Sequence, residues 1–401
     1  MKQASRYLTV LACLIMGMAI GTVLTYTAVT GRHPDSGMAA QVAAGSQKYA
    51  EIMNLVDQFF IGEDVDPDLV NDAMAAGVVA GLGDRWSYYV SAEDYQAYLE
   101  NINNAYVGVG ITISAKTDED GELLGYEVSQ VTSGSPAEEA GVEPGDVLIR
   151  ANGSDVTEIT LEETKNLVKG EEGTTVELTF LRDEAEQTRT VERRALTVIP
   201  AEGRMLAGAV GYITIDNFDA GCAETVKALV ESLKAQGATS LLFDVRNNPG
   251  GLKTELTDLL DYLLPEGTIF HTVNYAGEEE IVTSDASCVD MPMAVLVNED
   301  SYSAAEYFAC ALQEYDAAAV VGEQTYGKGY YQVGLQLSDG SCVNLSIGKY
   351  YTPSGESLID VGVTPDVELE LNDEDALSLA RKQLEPDEDP QVQAALACLQ
   401  P

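Results

Sequence analysis

The stretch that decides the fold runs from Ala294 to Gln332 and reads AVLVNEDSYSAAEYFACALQEYDAAAVVGEQTYGKGYYQ. Its pattern is an apolar strand, a turn of small residues, an apolar helix, a second strand and a lysine between two glycines. Ser303 lies where the first strand gives way to the helix, beside free N–H groups and the positive end of the helix dipole, which stabilise an oxyanion. Lys328 follows the next strand. A serine and a lysine at neighbouring strand ends predict a nucleophile and its general base.

The composition predicts a protein of more than one folded unit. A chain of 401 residues, 45% of them hydrophobic, exceeds one ordinary core, so we expect two or three units. The formal net charge of −44 argues against nucleic-acid binding, because phosphate contacts need a basic surface. The chain has only two histidines, His33 and His271, which excludes a His-rich metal site. A Ser-His-Asp triad would have to use one of them. The six cysteines lack C-x-x-C spacing, and whether Cys288 and Cys342 form a disulfide stays an open question.

An uncharged run from Tyr7 to Val29 follows a short basic N-terminus at residues 1–6. At about 1.5 Å per residue, a helix of this length crosses a hydrocarbon core of roughly 30 Å. The positive charges of Lys2 and Arg6 place the N-terminus in the cytoplasm. We therefore predict a single-pass transmembrane anchor at residues 7–29, with the rest of the chain extracytoplasmic, either extracellular or periplasmic. A cleaved signal peptide is the alternative.

Residues 30–45 are expected to form a polar linker, and residues 46–102 a helical region. Apolar residues recur at helical spacing from Ile52 to Phe59, Asp66-Pro67 begins a second helix, and Ser91 to Asp94 resembles the capping box of a third. These helices either mediate dimerisation or docking, or cap the next domain. Whether the chain forms a homo-oligomer therefore stays an open question.

A compact module is predicted at residues 103–198. Tyr106 to Ile113 is a glycine-spaced loop that runs into an alternating strand, and SPAEEAGVEPGDVLIRANG follows at 135–153. This run resembles PDZ domains, in which a glycine loop binds the C-terminal carboxylate of a peptide and the peptide adds as a strand. The resemblance assigns that loop to four residues: Val107, Gly108, Val109 and Gly110. A structural module without a ligand is the alternative.

Residues 199–372 alternate between strand and helix patterns, which is typical of an α/β domain. Strands are predicted at Gly211 to Phe218, at Ser240 to Arg246 and at Val343 to Tyr351, with a helix ending at Gly237 between the first two. Residues 373–401 are expected to form an acidic, weakly helical tail.

The segment from Gly322 to Gly329 nearly spells a phosphate-binding loop. It lacks the Ser or Thr after the lysine, and a strand pattern follows instead of a helix, so nucleotide binding is the weakest alternative. His271 lies in an apolar, strand-like run, which favours a core or edge role. Lys328 can act as the base instead, if burial lowers its pKa from about 10.4 to roughly 7–8. The apolar surroundings are expected from Tyr326, Tyr330, Phe308 and the strand around Val320.

Residues 84–372 resemble the carboxyl-terminal processing peptidases, also called tail-specific proteases, in every block and in order. The blocks are DRWSYY at 84–89, the PDZ run, DVRNNPGG at 244–251, VNEDSYSAAE at 297–306 and VGEQTYGKG at 321–329. The resemblance implies that Ser303 is the nucleophile, Lys328 the general base and Gln332 the residue that orients the lysine. It also implies backbone oxyanion donors in three residues: Ala304, Gly250 and Gly251. Tyr302 and Ala305 depart from the small Ala and Ser usual in the family.

The same resemblance implies a crotonase-like βαβ superhelix core with a PDZ domain inserted ahead of it. The function expected is that of a membrane-anchored, extracytoplasmic serine endopeptidase. It would process or degrade proteins with accessible, unstructured, apolar C-terminal tails, without metal or nucleotide. The alternative is a catalytically silent PDZ scaffold that binds such tails at the membrane.

Overall fold

The computed structural model describes residues 36–62, 65–118, 121–183 and 185–400. The chain divides into two compact units, Met1–Ala73 and Met74–Pro401. Helix α1 (Ser36–Phe59) begins inside the expected linker, and helix α2 (Pro67–Ala80) begins where Asp66-Pro67 predicted it. Asp66 caps α2 by accepting a hydrogen bond of 2.9 Å from the N–H of Asp68.

The expected transmembrane anchor at 7–29 lies outside the described residues. Among the residues that the structure describes, no helix has the length and apolar character needed to span a bilayer.

The PDZ-like module is preceded by strand β1 (Tyr88–Val90), helix α3 (Tyr95–Ile102) and strand β2 (Ala105–Gly108). Its own elements are β3 (Ile111–Thr117), β4 (Leu123–Val131), α4 (Pro136–Glu139), β5 (Val147–Ala151), β6 (Ser154–Asp155), α5 (Leu161–Val168), β7 (Thr175–Arg182) and β8 (Ala185–Glu192). The sheet order is β3-β4-β5-β7-β8, with β6 beside β5. Strand β3 is therefore an edge strand. Strand β9 (Arg194–Thr197) pairs with β2 at the base of the module.

The α/β domain contains the remaining elements. These are β10 (Ala201–Leu206), β11 (Val210–Ile215), α6 (Cys222–Ala235), β12 (Ser240–Asp244), α7 (Lys253–Leu263), β13 (Gly267–Asn274), β14 (Glu279–Ser284), β15 (Met293–Val297), α8 (Ala304–Glu314), β16 (Ala318–Gly322), β17 (Tyr330–Gln336), β18 (Cys342–Tyr351), β19 (Val367–Glu368), α9 (Asp373–Ala380) and α10 (Pro390–Cys398). The main sheet has the order β10-β11-β12-β15-β16-β19. All its neighbouring pairs are parallel except β10 with β11.

The central strands β12, β15 and β16 of the main sheet are largely apolar because helices cover both faces. Leu241 and Phe243 belong to the core cluster formed with α6, α7 and α8. Leu242 points the other way and packs with Val392 and Ala395 of α10. The residues after 372 are therefore not only an acidic tail, since α10 covers the second face of the sheet. Its apolar residues are small and few, so the sequence pattern is weak although Val392 and Ala395 are fully buried.

A second sheet has the order β1-β18-β13-β14, with β17 also paired to β18. Strand β1 pairs antiparallel with β18 through Tyr88 and Asn344. The predicted helical region at 46–102 therefore contains a strand that belongs to a sheet of the α/β domain. A three-residue strand leaves little periodicity in the sequence, and only its distant partner determines it.

The open question of a Cys288–Cys342 disulfide is answered by the structure, in which both thiols are free. Cys288 is exposed, whereas Cys342 is buried.

Candidate active site

Ser303 lies between strand β15 and helix α8 in a strained backbone conformation, with φ of 60° and ψ of −120°. Few residues with a side chain adopt a positive φ, and such strain collects at functional sites. Ser301 supports the turn because its buried hydroxyl donates to the carbonyl of Val245 (2.8 Å) and accepts from the N–H of Asn298 (3.0 Å). The turn thus presents Ser303 at the carboxyl end of the sheet, as predicted.

Glu306 connects the serine turn to the lysine loop. One carboxylate oxygen, Oε1, accepts hydrogen bonds from the Gly327 N–H (2.7 Å) and the Thr325 hydroxyl (2.8 Å). The other oxygen accepts from the N–H groups of Lys328 (2.9 Å) and Ser303 (3.2 Å). Burial raises the pKa of Glu306 and these hydrogen bonds oppose that shift. The sequence analysis missed this residue, although it lies three positions after Ser303 and can reach back from the first helical turn.

Lys328 lies in the loop between β16 and β17, and burial lowers its pKa to about 8. The negative charges of Glu306 and Asp84 act in the opposite direction. The Lys328 Nζ lies 4.4 Å from the centre of the Trp86 ring. Among the described contacts, no hydrogen bond joins Lys328 Nζ to the hydroxyl of Ser303.

The aromatic surroundings of the lysine differ from those expected. Trp86 contacts the rings of Tyr302 and Tyr326, with centroids 5.8 and 5.5 Å away. Phe308 packs instead against Phe218 and other rings in the core. Trp86 was quoted only as part of a family block, because its proximity to Lys328 depends on the pairing of β1 with β18.

Gln332 does not hydrogen-bond to Lys328 in the described contacts. Its Nε2 donates to the Ser346 hydroxyl (3.0 Å) and to the Tyr330 carbonyl (3.3 Å). A register shift between Tyr331 and Gln332 places Gln332 opposite Ser346 on β18. The orienting role implied by the family resemblance is therefore not carried by a direct bond.

The three expected oxyanion donors differ in availability. The N–H of Gly250 donates to Asn248 Oδ1 at 2.8 Å and is already used. The N–H groups of Gly251 and Ala304 have no acceptor among the described residues. Gly250 has a positive φ of 92°, and a Cβ there would lie 2.7 Å from the Cβ of Ser303. A side chain at 250 would thus collide with the turn that carries Ser303.

A cavity of about 590 Å³ brings the predicted catalytic groups together. It is lined by Ser303, Ala304, Lys328, Gln332, Gly250 and Gly251. Apolar and aromatic side chains form much of its wall: Leu252, Leu256, Phe270, Tyr307, Tyr331 and Val333. His271 is not among the lining residues; its ring packs on Tyr351 at 5.3 Å. A hydroxyl, an amine of lowered pKa and free backbone donors around one cavity can carry out acyl transfer.

Tyr350 also reaches the serine. Its buried hydroxyl accepts a hydrogen bond from the Gly329 N–H (2.9 Å). Burial raises the pKa of Tyr350 well above its ordinary value, while the Gly329 N–H and the Ser303 side chain act against that shift. The hydroxyl therefore stays protonated beside Ser303.

A buried ion cluster lies just before the loop that carries Gly250 and Gly251. Arg246 donates to the carboxylates of Asp244 (2.6 Å) and Asp389 (2.8 Å). Burial raises the pKa of Asp244, but the charge of Arg246 together with hydrogen bonds from Arg246 and Tyr212 outweighs it, and the pKa lies below its ordinary value. The sequence analysis quoted Asp244 and Arg246 without giving them a role, since Asp389 lies in the expected tail.

The predicted peptide-binding loop of the PDZ-like module is partly a strand. Val107 and Gly108 belong to β2 and pair with β9. The carbonyls of Val109 and Gly110 accept from Ala137 and Thr132, each at 2.9 Å. The N–H groups of Val109 and Gly110 have no acceptor among the described residues. Those two donors precede the edge strand β3 and fit the binding of a carboxylate.

Two family profiles match the chain: that of peptidase family S41 at residues 209–369 and that of the PDZ domain at residues 127–182. A probable CtpA-like serine protease of Staphylococcus aureus is 30% identical over 369 residues, which cover 91% of this chain and 72% of the relative. A probable CtpA-like serine protease of Staphylococcus epidermidis is 29% identical over 367 residues, covering 90% and 73%.

The solved structures of similar fold include a protease. It is a putative S41 protease of Bacteroides fragilis, with a TM-score of 0.55 and 20% identity. The match covers 84% of this chain and 92% of the other. At this identity the likeness concerns the fold alone.

Proposed function

We propose a mechanism and a substrate class for this chain on the premise that it belongs to the carboxyl-terminal processing peptidases of family S41. The chain is a serine protease of that family with a PDZ domain. The proposal is that Ser303 is its nucleophile and Lys328 its general base. The observation that carries it is the carboxylate of Glu306, which binds the backbone N–H groups of both residues and so brings them to one cavity.

The reaction begins with neutral Lys328, which accepts the proton of the Ser303 hydroxyl as its oxygen attacks the peptide carbonyl. The free N–H groups of Ala304 and Gly251 stabilise the oxyanion. Lys328 then returns the proton to the leaving amine, and water hydrolyses the acyl-enzyme by the same route. A base with a pKa near 8 is well matched to this double role, because it exchanges protons readily near neutral pH.

The substrates proposed are proteins with unstructured, apolar C-terminal tails. The support is the pair of free N–H groups at Val109 and Gly110 and the open edge of β3, where an extended peptide can add as a strand. The anchor proposed for residues 7–29 would place this activity at the outer side of a cell membrane. A silent PDZ scaffold is disfavoured by the complete set of catalytic groups in the cavity.

The dyad is tested by Ser303→Ala, Lys328→Ala and the double variant. All three should lose peptidase activity to a similar extent, because parts of one catalytic unit are not additive. The exposed Lys349 on β18 provides a matched control, and Lys349→Ala should keep wild-type activity. In the wild type, kcat should rise with pH on a limb near pH 8, and His271→Gln should leave that limb in place. Substantial cleavage by Lys328→Ala would refute the assignment.

Tail recognition is tested with an unstructured peptide that ends in Ala-Ala, its amidated form and an Asp-Asp ending. Losing the terminal charge should cost about 1.5–3 kcal/mol, the range for hydrogen bonds to charged groups, which is about 10- to 150-fold in kcat/KM. Equal cleavage of the three peptides would show that the PDZ domain does not select free C-termini.

A further inference from the structure

The segment Asp84–Ser87 reaches the catalytic lysine from outside the region that matches the peptidase family, 209–369. It precedes β1, whose pairing with β18 fixes its position. The segment is separated from the peptidase elements in sequence by the whole PDZ domain, yet two of its residues act directly on Lys328. The Lys328 Nζ lies 4.4 Å from the centre of the Trp86 ring, and the negative charge of Asp84 favours the charged form of Lys328.

A hydrogen-bond chain connects Asp84 to Gln332. The Ser87 hydroxyl donates to Asp84 Oδ2 at 2.5 Å and accepts from the backbone N–H of Ser346 at 3.0 Å. The Ser346 hydroxyl in turn accepts from Gln332 Nε2 at 3.0 Å. Gln332 lines the cavity together with Lys328, so the chain ends beside the general base.

The electrostatics of Asp84 agree with this arrangement. Burial works to raise the pKa of Asp84, but the hydrogen bonds of Ser87, Ser346 and the Trp86 N–H, together with the charge of Lys328, hold it below its ordinary value. Asp84 is therefore ionised at neutral pH. The charged groups that act on Lys328 are Glu306 from α8 and Asp84 from this segment. The Arg85 guanidinium packs over two aromatic rings, 5.1 Å from the centre of the Trp86 ring and 4.8 Å from that of Tyr326.

We propose that Asp84 is a positioning residue for the general base, which holds Gln332 in place through Ser87 and Ser346 and sets a negative charge beside Lys328. This inference rests on the proposed function, in which Lys328 is the base. It explains how Gln332 can serve the lysine without a direct bond to it: the glutamine is fixed by β18 and by the segment before β1. The Trp86 ring covers the ammonium and limits its contact with water.

The test is the variant Asp84→Asn in the full chain, with the pH dependence of kcat as its main readout. Removing the negative charge favours the neutral amine, so the alkaline limb should move to lower pH by about half a unit or more. The plateau kcat should fall about tenfold because Gln332 is no longer held, while KM stays close to wild type. A purely structural role would lower kcat without moving the limb. The exposed Asp94, which also accepts from a serine (Ser91, 2.7 Å), provides the control Asp94→Asn.

Ser346→Ala separates the two parts of the proposal. It removes the acceptor of Gln332 but keeps the charge of Asp84, so kcat should fall about tenfold with the limb unmoved. The double variant should lose little more than the worse single variant, since both break one chain of contacts. An unmoved limb in Asp84→Asn, or a wild-type kcat in Ser346→Ala, overturns the proposal.

A direct titration keeps the test independent of activity and of folding losses. In the inactive Ser303→Ala background, NMR of lysine labelled at Cε reports the protonation of Lys328, whose signal is assigned by its loss in Lys328→Arg. Adding Asp84→Asn should move that titration to lower pH, and an unchanged titration overturns the proposal. If the proposed function itself were wrong, wild-type activity would not depend on Lys328 at all, while the titration would still respond to Asp84.

Discussion

Glu306 and Asp244 are both buried carboxylates of the peptidase part, and their pKa values lie on opposite sides of the ordinary value. Asp244 contacts the guanidinium of Arg246, and the charge of Arg246 together with hydrogen bonds from Arg246 and Tyr212 outweighs the cost of burial and lowers the pKa. Glu306 accepts three hydrogen bonds from backbone N–H groups and one from a hydroxyl. Burial outweighs these bonds and raises the pKa of Glu306. Neutral donors thus hold Glu306 in place without supplying a compensating charge.

The difference fits the positions of the two residues. Asp244 belongs to a buried ion cluster just before the Gly250-Gly251 loop, where Arg246 pairs with two carboxylates. Glu306 lies close to Lys328, and an ion pair there would keep the lysine protonated and unable to act as a base. By binding the backbone N–H of Lys328, the carboxylate positions the residue while burial keeps the lysine pKa near 8.

The largest effect is expected where the charge pair is broken. Arg246→Ala leaves the carboxylates of Asp244 and Asp389 buried without a cation, which should destabilise the protein by about 3–5 kcal/mol. The exposed pair of Arg204 and Glu385 is the matched control, and Arg204→Ala should cost less than about 1 kcal/mol. Denaturant unfolding measures both. Equal losses in the two variants would contradict the role of burial.

A smaller effect on stability is expected for the carboxylate held by neutral donors. Glu306→Gln replaces one acceptor oxygen by an NH₂ group that faces N–H donors, so about 1–3 kcal/mol should be lost. Activity should fall further than stability, because Ser303 and Lys328 lose their common support. Glu163→Gln in the exposed capping box of α5 is the control and should change the free energy of unfolding by less than about 1 kcal/mol. A fully active Glu306→Gln would contradict its positioning role.

The smallest effect on stability is expected for Asp219, whose carboxyl group has neither a cation nor a neutral donor as partner among the described contacts. Burial and the charge of Glu255 raise the pKa of Asp219 to about 6. The folded state therefore binds a proton more tightly than the unfolded state, and stability is lost as pH rises through about 4 to 6. Asp219→Asn should raise the Tm slightly at pH 7.5 and less at pH 4.5, whereas the exposed Asp290→Asn should raise it at neither. Thermal unfolding at the two pH values checks this, and a lowered Tm at pH 7.5 would contradict it.

Local patterns were enough to predict much of the fold and the centre of the site. The strand, small-residue turn and helix from Ala294 to Glu314 predicted the position of Ser303, and the glycines around Lys328 predicted its loop. The PDZ run was recognisable because its turns need specific residues at fixed spacing. The family membership followed from blocks of this kind, and the profiles and relatives confirmed it.

Contacts between distant segments could not be read in the same way. Trp86 and Asp84 act on Lys328 only because three residues of β1 pair with β18. Asp389 joins Arg246 only because α10 folds back over the sheet. Gln332 faces Ser346 because of a register shift, which leaves no local signal.

The sequence by itself predicted which residues would supply the proposed chemistry: a serine at a strand-to-helix turn, a lysine in a glycine loop and backbone donors beside them. Those assignments depend on local backbone preferences and residue chemistry, which neighbouring residues specify. The tertiary structure decided how these groups are tuned. Burial and partners far along the chain set the pKa of Lys328, leave the Gly251 N–H available and fix the position of Gln332. Only the folded chain specifies them, because desolvation and charge act through space.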